Sequence, residues 1–235
     1  MNNRIHKILL LLLSITITYS CNNSESNNYM LVSGEIDGLR KGKLYLQQFV
    51  DSVFISIDST EVNNEFEFSL STSINEPDIY YLYLDKDDGD SINDRIKFFG
   101  NNGEITINSR LITFDTNAEI LGSDNQTLME EYMSIIRKFN FENLDLLEMY
   151  YDSQIKGNNK RFDSVNNAIN NLIKRKYLYS LNFATTNADY EISPFIVTTE
   201  IPDANKELLK QVYDKLNDSI KVSKYGELLM ELISN

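Results

Sequence analysis

The chain has 235 residues, 42% hydrophobic and 24% charged, an ordinary balance for a globular protein and enough length to bury one good core or two small ones. Its formal charge of −13 repels nucleic acid and anionic lipid alike, so nucleic-acid binding is not expected. It has one histidine and one cysteine, which leaves little for imidazole or thiol chemistry.

Near the N-terminus a short apolar run, Ile8 to Ile17, follows Arg4, His6 and Lys7 and stops at Thr18-Tyr19-Ser20-Cys21. Interrupted by Ser14 and Thr16, it is too short to span a bilayer, which takes roughly 20 mostly apolar residues, and it reads as an export signal over residues 1–20. Hydroxylated residues before a lone cysteine resemble the lipobox of bacterial lipoproteins, whose cysteine is acylated and becomes the new N-terminus. Tyr19 is bulkier than usual at its position, and an ordinary signal peptide cut near Ser20, leaving a free or oxidised Cys21, is the alternative. Either way Arg4, His6 and Lys7 leave with the signal, taking the charge from −13 to −15, and lipidation also consumes the thiol. Ser-His-Asp and Cys-His catalysis, thiol-disulfide exchange and the usual zinc sites are then removed together. Carboxylates, Lys, Tyr, Ser and Thr remain, which still permits glycoside hydrolysis by paired acids. No cofactor is expected.

Residues 21–29 hold little apolar surface beyond the cysteine and are expected to form a flexible tether. Short β-like runs follow at Met30–Ile36, Lys43–Phe49, Val53–Ser59, Glu65–Leu70, Ile79–Leu84, Ile96–Phe99, Ile105–Ile107 and Glu119–Leu121, with Asn63-Asn64 supplying a left-handed turn. The spacing predicts an antiparallel sandwich or barrel-like sheet over residues 30–122. At Gly122-Ser123-Asp124 the hydrophobic period changes from two to about 3.6, with Ser123 or Asp124 as the helix cap. Leu128, Tyr132, Ile135, Ile136 and Phe139 line one helical face. After a turn at Lys156-Gly157-Asn158-Asn159, Phe162, Val165, Ile169, Leu172 and Ile173 line a second, so the two pack as an antiparallel hairpin. Pro194 and Pro202 punctuate the next stretch. Leu208, Leu209, Val212 and Leu216 then mark a further helix that resumes, after a break near Ser223, as Gly226–Ile233. The fold class is therefore α+β, an N-terminal antiparallel β-sandwich-like domain followed by an α-helical domain over residues 123–235. Phe139, Phe141, Leu144, Leu146 and Leu147 point in more directions than a helical hairpin can bury, so some of them are expected to pack on the sheet.

Several phrases fall in a recognisable order: Ser33-Gly34-Glu35-Ile36, Lys43-Leu44-Tyr45-Leu46, Asp58-Ser59-Thr60-Glu61-Val62 leading into Phe66-Glu67-Phe68, Phe98–Ile107, and Gly122-Ser123-Asp124-Asn125. This order resembles the β-rich domain of unknown function that precedes the thioredoxin-like module of lipid-anchored bacterial thiol-disulfide interchange proteins. The resemblance implies a β domain, connecting helices and a neighbouring thioredoxin fold with a CxxC pair. Here the helices through residues 193–235 look like the connecting region and no CxxC is present, so the family's redox activity does not carry over.

Asp85, Asp87, Asp88 and Asp90 cluster around Gly89, and hard cations prefer clustered carboxylate oxygens. Gly89 falls one place early for an EF-hand loop and no Glu closes it, so a solvated hairpin loop is the alternative. Asp-Ser before Val, Thr or Ile recurs at Ser52, Ser59, Ser91, Ser164 and Ser219, and it resembles a short O-glycosylation acceptor pattern of some Gram-negative envelope proteins, although it is also common turn and cap chemistry. Tyr80, Tyr81, Tyr83, Tyr150 and Tyr151 are candidates for a stacking face or for half-buried packing. The expected protein is a non-catalytic, lipid-anchored cell-envelope protein, on the periplasmic face or the outer membrane, that binds or scaffolds a partner such as a thioredoxin-like lipoprotein. A surface lipoprotein binding a glycan or peptide is the alternative and needs exposed aromatics forming a platform. A carboxylate-based hydrolase would need two acids facing each other across a cleft.

Overall fold

The computed structural model describes residues 28–63, 67–86 and 95–235. Strands come first: β1 (Tyr29–Asp37), β2 (Lys41–Val50), β3 (Val53–Asn63), β4 (Glu67–Ser73), β5 (Asp78–Asp85), β6 (Arg95–Gly100), β7 (Gly103–Arg110) and β8 (Glu119–Leu121). Helices follow: α1 (Asp124–Ile155), α2 (Asn159–Thr186), α3 (Ile192–Thr199), α4 (Lys206–Lys215), α5 (Asp218–Lys221) and α6 (Lys224–Ser234). The α+β class is as expected. Asn64 of the anticipated turn lies outside the described residues. Among the described residues no helix is long and apolar enough to cross a membrane.

The strands form two four-stranded sheets, ordered β4-β1-β7-β8 and β3-β2-β5-β6. Alternation places Val32, Ile36, Leu44, Leu46, Leu82, Leu84, Ile96, Phe98, Ile105 and Ile107 on the facing inner surfaces, where all are buried in one core. One pairing departs from the antiparallel expectation: β1 and β7 run parallel, Met30 opposite Gly103 and Val32 opposite Ile105. The cause is topological. The chain leaves β1 for the second sheet and returns from β6 at the end where β1 begins, so β7 must run in the same direction as β1. The approach is close at Gly34, where a Cβ would stand 1.9 Å from the Ile107 carbonyl oxygen, and only glycine fits.

Ser123 caps α1, its Oγ accepting from the Gln126 N–H at 3.2 Å. Gly122 before it sits at φ 103°, with a would-be Cβ 2.0 Å from the Glu104 carbonyl, so the joint between strands and helices is itself backbone-packed. Pro194 does not interrupt a helix: it lies in the first turn of α3, where a missing N–H costs nothing. Six consecutive residues of that helix, Ile192 to Val197, are buried, which is why an amphipathic stripe failed to reveal it. Met129, Tyr132 and Ile136 of α1 meet Phe183, Ile192, Phe195, Ile196 and Tyr225 in a second core, and Leu181, Val197, Leu209, Val212, Leu216 and Leu229 form a third. Phe139 packs against the second core, but Phe141 and Leu144 stay exposed. Of the residues expected to reach the sheet, Phe139 packs against the core that includes Ile79 of β5 and Phe99 of β6, whereas Phe141 and Leu144 do not, and α1 meets strands β6 and β8.

Candidate binding face

The outer surface of the β3-β2-β5-β6 sheet is divided in two. At one end it is roofed by helices. The Phe99 N–H donates to Gln126 Oε1 at 2.8 Å, and the Phe99 ring meets Phe195 and Tyr225 edge-on at 5.6 and 6.2 Å. Asp78, at the start of β5, accepts hydrogen bonds from Lys224 Nζ and the Tyr225 hydroxyl, which ties α6 to the same end of the sheet.

Beyond this roof the same face carries Tyr45, Gln47 and Phe49 from β2, Phe54 and Ser56 from β3, Tyr81 and Tyr83 from β5, and Arg95 from β6. Cross-strand registers bring them together: Tyr45 opposite Tyr83, Gln47 opposite both Ser56 and Tyr81, Phe49 opposite Phe54, Tyr83 opposite Arg95. The rings of Tyr45 and Tyr83 stack at 5.8 Å, Phe54 meets Tyr81 edge-on at 5.0 Å and Phe49 at 4.9 Å. The Arg95 guanidinium lies 4.3 Å from the ring centres of both Phe54 and Tyr83. Its Nε donates to Gln47 Oε1 at 3.3 Å, while Gln47 Nε2 donates to Ser56 Oγ at 3.1 Å. Gln47 is thereby satisfied at both ends and buried beneath the rings. A bulge between Leu46 and Gln47 shifts the β2–β3 register by one residue, and this turns Phe54 and Ser56 onto the aromatic side.

The β2–β3 hairpin closes at Asp51-Ser52, whose φ angles of 49° and 68° match the two-residue left-handed turn. Near this turn Phe49 is 51% exposed, Val53 55% and Ile55 48%. Exposed apolar residues clustered on a strand end mark an interaction surface more than scattered ones do.

A groove of about 800 Å³ opens between β6, β8, α1 and α3. Lys97 enters it with its ammonium 5.1 Å above the Phe195 ring. Lys97 is exposed as a whole residue, but burial around its charge lowers its pKa, and Glu200 pulls the other way. Burial raises the Tyr132 hydroxyl well above the ordinary tyrosine range, against a 2.7 Å hydrogen bond with Ser180. The groove also collects Asp115, Glu130 and Glu200. Glu130 accepts from Gln126 Nε2 at 2.7 Å and Glu200 lies 3.9 Å from Lys176 Nζ, so two of these carboxylates serve packing contacts.

The anticipated sites scatter. Cys21, Asp87, Asp88, Asp90 and Ser91 lie outside the described residues. Asp85 closes β5 opposite Lys43. Ser52 sits in the hairpin turn, Ser59 on β3, Ser164 on α2 and Ser219 on α5, all exposed. Tyr80 is buried in the sandwich core, which lifts its hydroxyl to about 12, with Asp78 adding to the shift. Tyr81 and Tyr83 belong to the aromatic face, whereas Tyr150 packs on Phe162 and Tyr151 of the helical hairpin. Tyr45, Gln47, Phe49, Phe54 and Arg95 were not foreseen as a group. The signal was present: in Lys43-Leu44-Tyr45-Leu46-Gln47 leucines hold one parity and Tyr and Gln the other.

Residues 30–129 match the family model of a domain of unknown function, DUF4369. The match runs from β1 through the first turns of α1 and contains the whole aromatic face. Comparison with curated proteins and with solved structures gave no match.

Proposed function

We propose that this is a non-catalytic binding protein of the cell envelope, held at a membrane by lipid on Cys21, which grips a partner protein through the aromatic face of β2, β3, β5 and β6. The observation that carries the reading is Arg95 set between the rings of Phe54 and Tyr83 and fixed by Gln47. Aromatic residues and arginine, pre-positioned on rigid strands, are the residue types that dominate binding energy at protein interfaces. A glycan would use the tyrosine rings but gains little from the phenylalanines Phe49 and Phe54 beside them, so this largely apolar aromatic surface favours a protein. The absence of His and Cys after residue 21 supports a binding role over acyl-transfer or thiol chemistry. The sequence resemblance supports a thioredoxin-like lipoprotein as the partner class.

The test is a photo-crosslinking amino acid placed at Tyr45 in cells. A single crosslinked partner from Tyr45, absent when the probe sits at Ile112, is the expected result. Crosslinks to no protein, or the same products from both positions, would overturn the reading. Mass spectrometry of the native N-terminus tests the anchor separately: Cys21 should carry acyl chains.

A further inference from the structure

The β2–β3 hairpin has two faces, and at its turn end the aromatic one is made by Phe49 and Phe54. On the opposite face Val50, Val53 and Ile55 form an exposed aliphatic patch. β2 pairs with β5 only as far as Gln47, so from Gln48 onward the hairpin is a two-stranded overhang. Phe49 borders β5 and α6, but Val50, Val53 and Ile55 stay 41%, 55% and 48% exposed, apolar surface that water disfavours.

Its position in the molecule indicates what covers it. The Ile74 N–H donates to the Asn28 carbonyl at 2.9 Å, so the chain enters the fold beside the end of β4. A short link carries the chain from Ile74 to Asp78, whose Oδ2 accepts from Gln48 Nε2 at 3.4 Å. The point where the chain enters the fold and the hairpin overhang therefore share one end of the sandwich. From Cys21 to Asn28 the chain can span at most about 25 Å even when fully extended. Residues 22–28 are Asn, Ser and Glu, so this segment has no apolar side chain with which to cover the patch itself. Tyr29, half exposed at the same end, adds an amphipathic ring of the kind that favours a membrane interface.

We propose that Val50, Val53 and Ile55 of the hairpin overhang seat in the surface of the bilayer that holds the Cys21 lipid, giving the protein a second, non-covalent contact that fixes its orientation. This rests on the anchor reading above. Asp51 and Ser52 at the turn are polar, so the hairpin lies along the interface with its aliphatic face inward and does not pierce the bilayer. The net negative charge, −13 for all 235 residues and −15 without Arg4 and Lys7, sets the lipid class as zwitterionic, because anionic headgroups repel the chain. The aromatic face, on the other side of the hairpin, stays turned toward a partner.

The chain has no tryptophan, so one introduced indole reports its own surroundings. Residues 21–235 carrying Val53→Trp are coupled through Cys21 to a maleimide lipid in phosphatidylcholine vesicles. The expected result is a blue shift of emission and quenching by shallow bromolipids, relative to the same protein uncoupled, with a weaker effect in phosphatidylglycerol vesicles. Ile55→Trp repeats the measurement should the first variant fold poorly. Ile112→Trp is the control, because Ile112 is 97% exposed just beyond Arg110, which lies at the opposite end of the sandwich opposite Asp37. Solution-like emission from both hairpin variants, or an equal shift at Ile112, overturns the seating. Chemical coupling makes this outcome independent of whether cells acylate Cys21, and an unmodified Cys21 in native protein would overturn the anchor alone.

Discussion

Phe99 and Phe49 stand on the same face of the same sheet, one on β6 and the other on β2, yet Phe99 is fully buried and Phe49 is 51% exposed. The strands treat them alike, since alternation sends both outward. What separates them is where the helices land. Gln126 of α1, Phe195 of α3 and Tyr225 of α6 converge on Phe99, and two of these contacts carry a polar bond to the sheet, through the Phe99 N–H and Asp78. Around Phe49 and Phe54 the polar groups instead bond one another within the sheet, and among the described residues the two rings stay 51% and 40% exposed. Covered and bare halves of one surface thus show which contacts the fold needs and which it leaves over.

Removing the cover entirely has the largest expected effect. A fragment of residues 28–122 would expose Ile79 and Phe99 to water and should aggregate on expression; a soluble fragment melting cooperatively at the transition of the full chain would refute the dependence. Next in size, Phe99→Ala should cost about 4 kcal/mol of stability, against a change within about 0.5 kcal/mol for Phe49→Ala, both read from urea unfolding. Equal losses would erase the distinction between the two halves. Gln126→Ala removes the acceptor of a buried backbone N–H and should cost about 2 kcal/mol. On the bare half, Arg95→Lys keeps the charge but loses the planar stacking on Phe54 and Tyr83, so stability should change by less than about 1 kcal/mol while Tyr45 crosslinking to a partner falls.

The smallest effect at neutral pH belongs to the buried tyrosines and appears only in base. Burial, with Asp78 adding to it, raises Tyr80 from 10.0 to about 12, and burial first, then the Asp78 charge, raises Tyr225 further still. A tyrosine whose pKa is higher folded than unfolded stabilises fully below its unfolded value and loses that contribution as pH climbs through the folded one. Thermal stability should hold below pH 10 and fall as pH rises toward 12, with tyrosinate absorbance growing as the chain unfolds. A melting temperature unchanged across that range would contradict the burial of these hydroxyls.

The strands were legible because Leu, Ile and Val alternate with polar residues, and β8 was read at its observed bounds, Glu119–Leu121. Ser123 was readable as a cap for the same local reason. α3 was not, since a helix with six consecutive buried residues shows no stripe and its Pro194 resembles a break. The aromatic face was half legible. Tyr81 and Tyr83 were noted, but their union with Tyr45, Phe54 and Arg95 depends on strand order and on the bulge beside Gln47, neither of which composition or spacing specifies. The parallel β1–β7 pair was hidden for a related reason: the route of the chain between sheets is a property of the whole domain.

That parallel pair also bears on the order of folding. Tyr29 donates its N–H to Asn102 Oδ1 across a separation of 73 residues, and β1 lies between β4 and β7 in its sheet. A chain made from its N-terminus produces β1 first, yet β1 must wait for six further strands before both of its edges are paired. Contacts so distant in sequence slow folding. The β2–β3 hairpin, closed by two residues, can form early and locally, whereas the sandwich locks only when β7 arrives, so the first strand made is among the last to be secured.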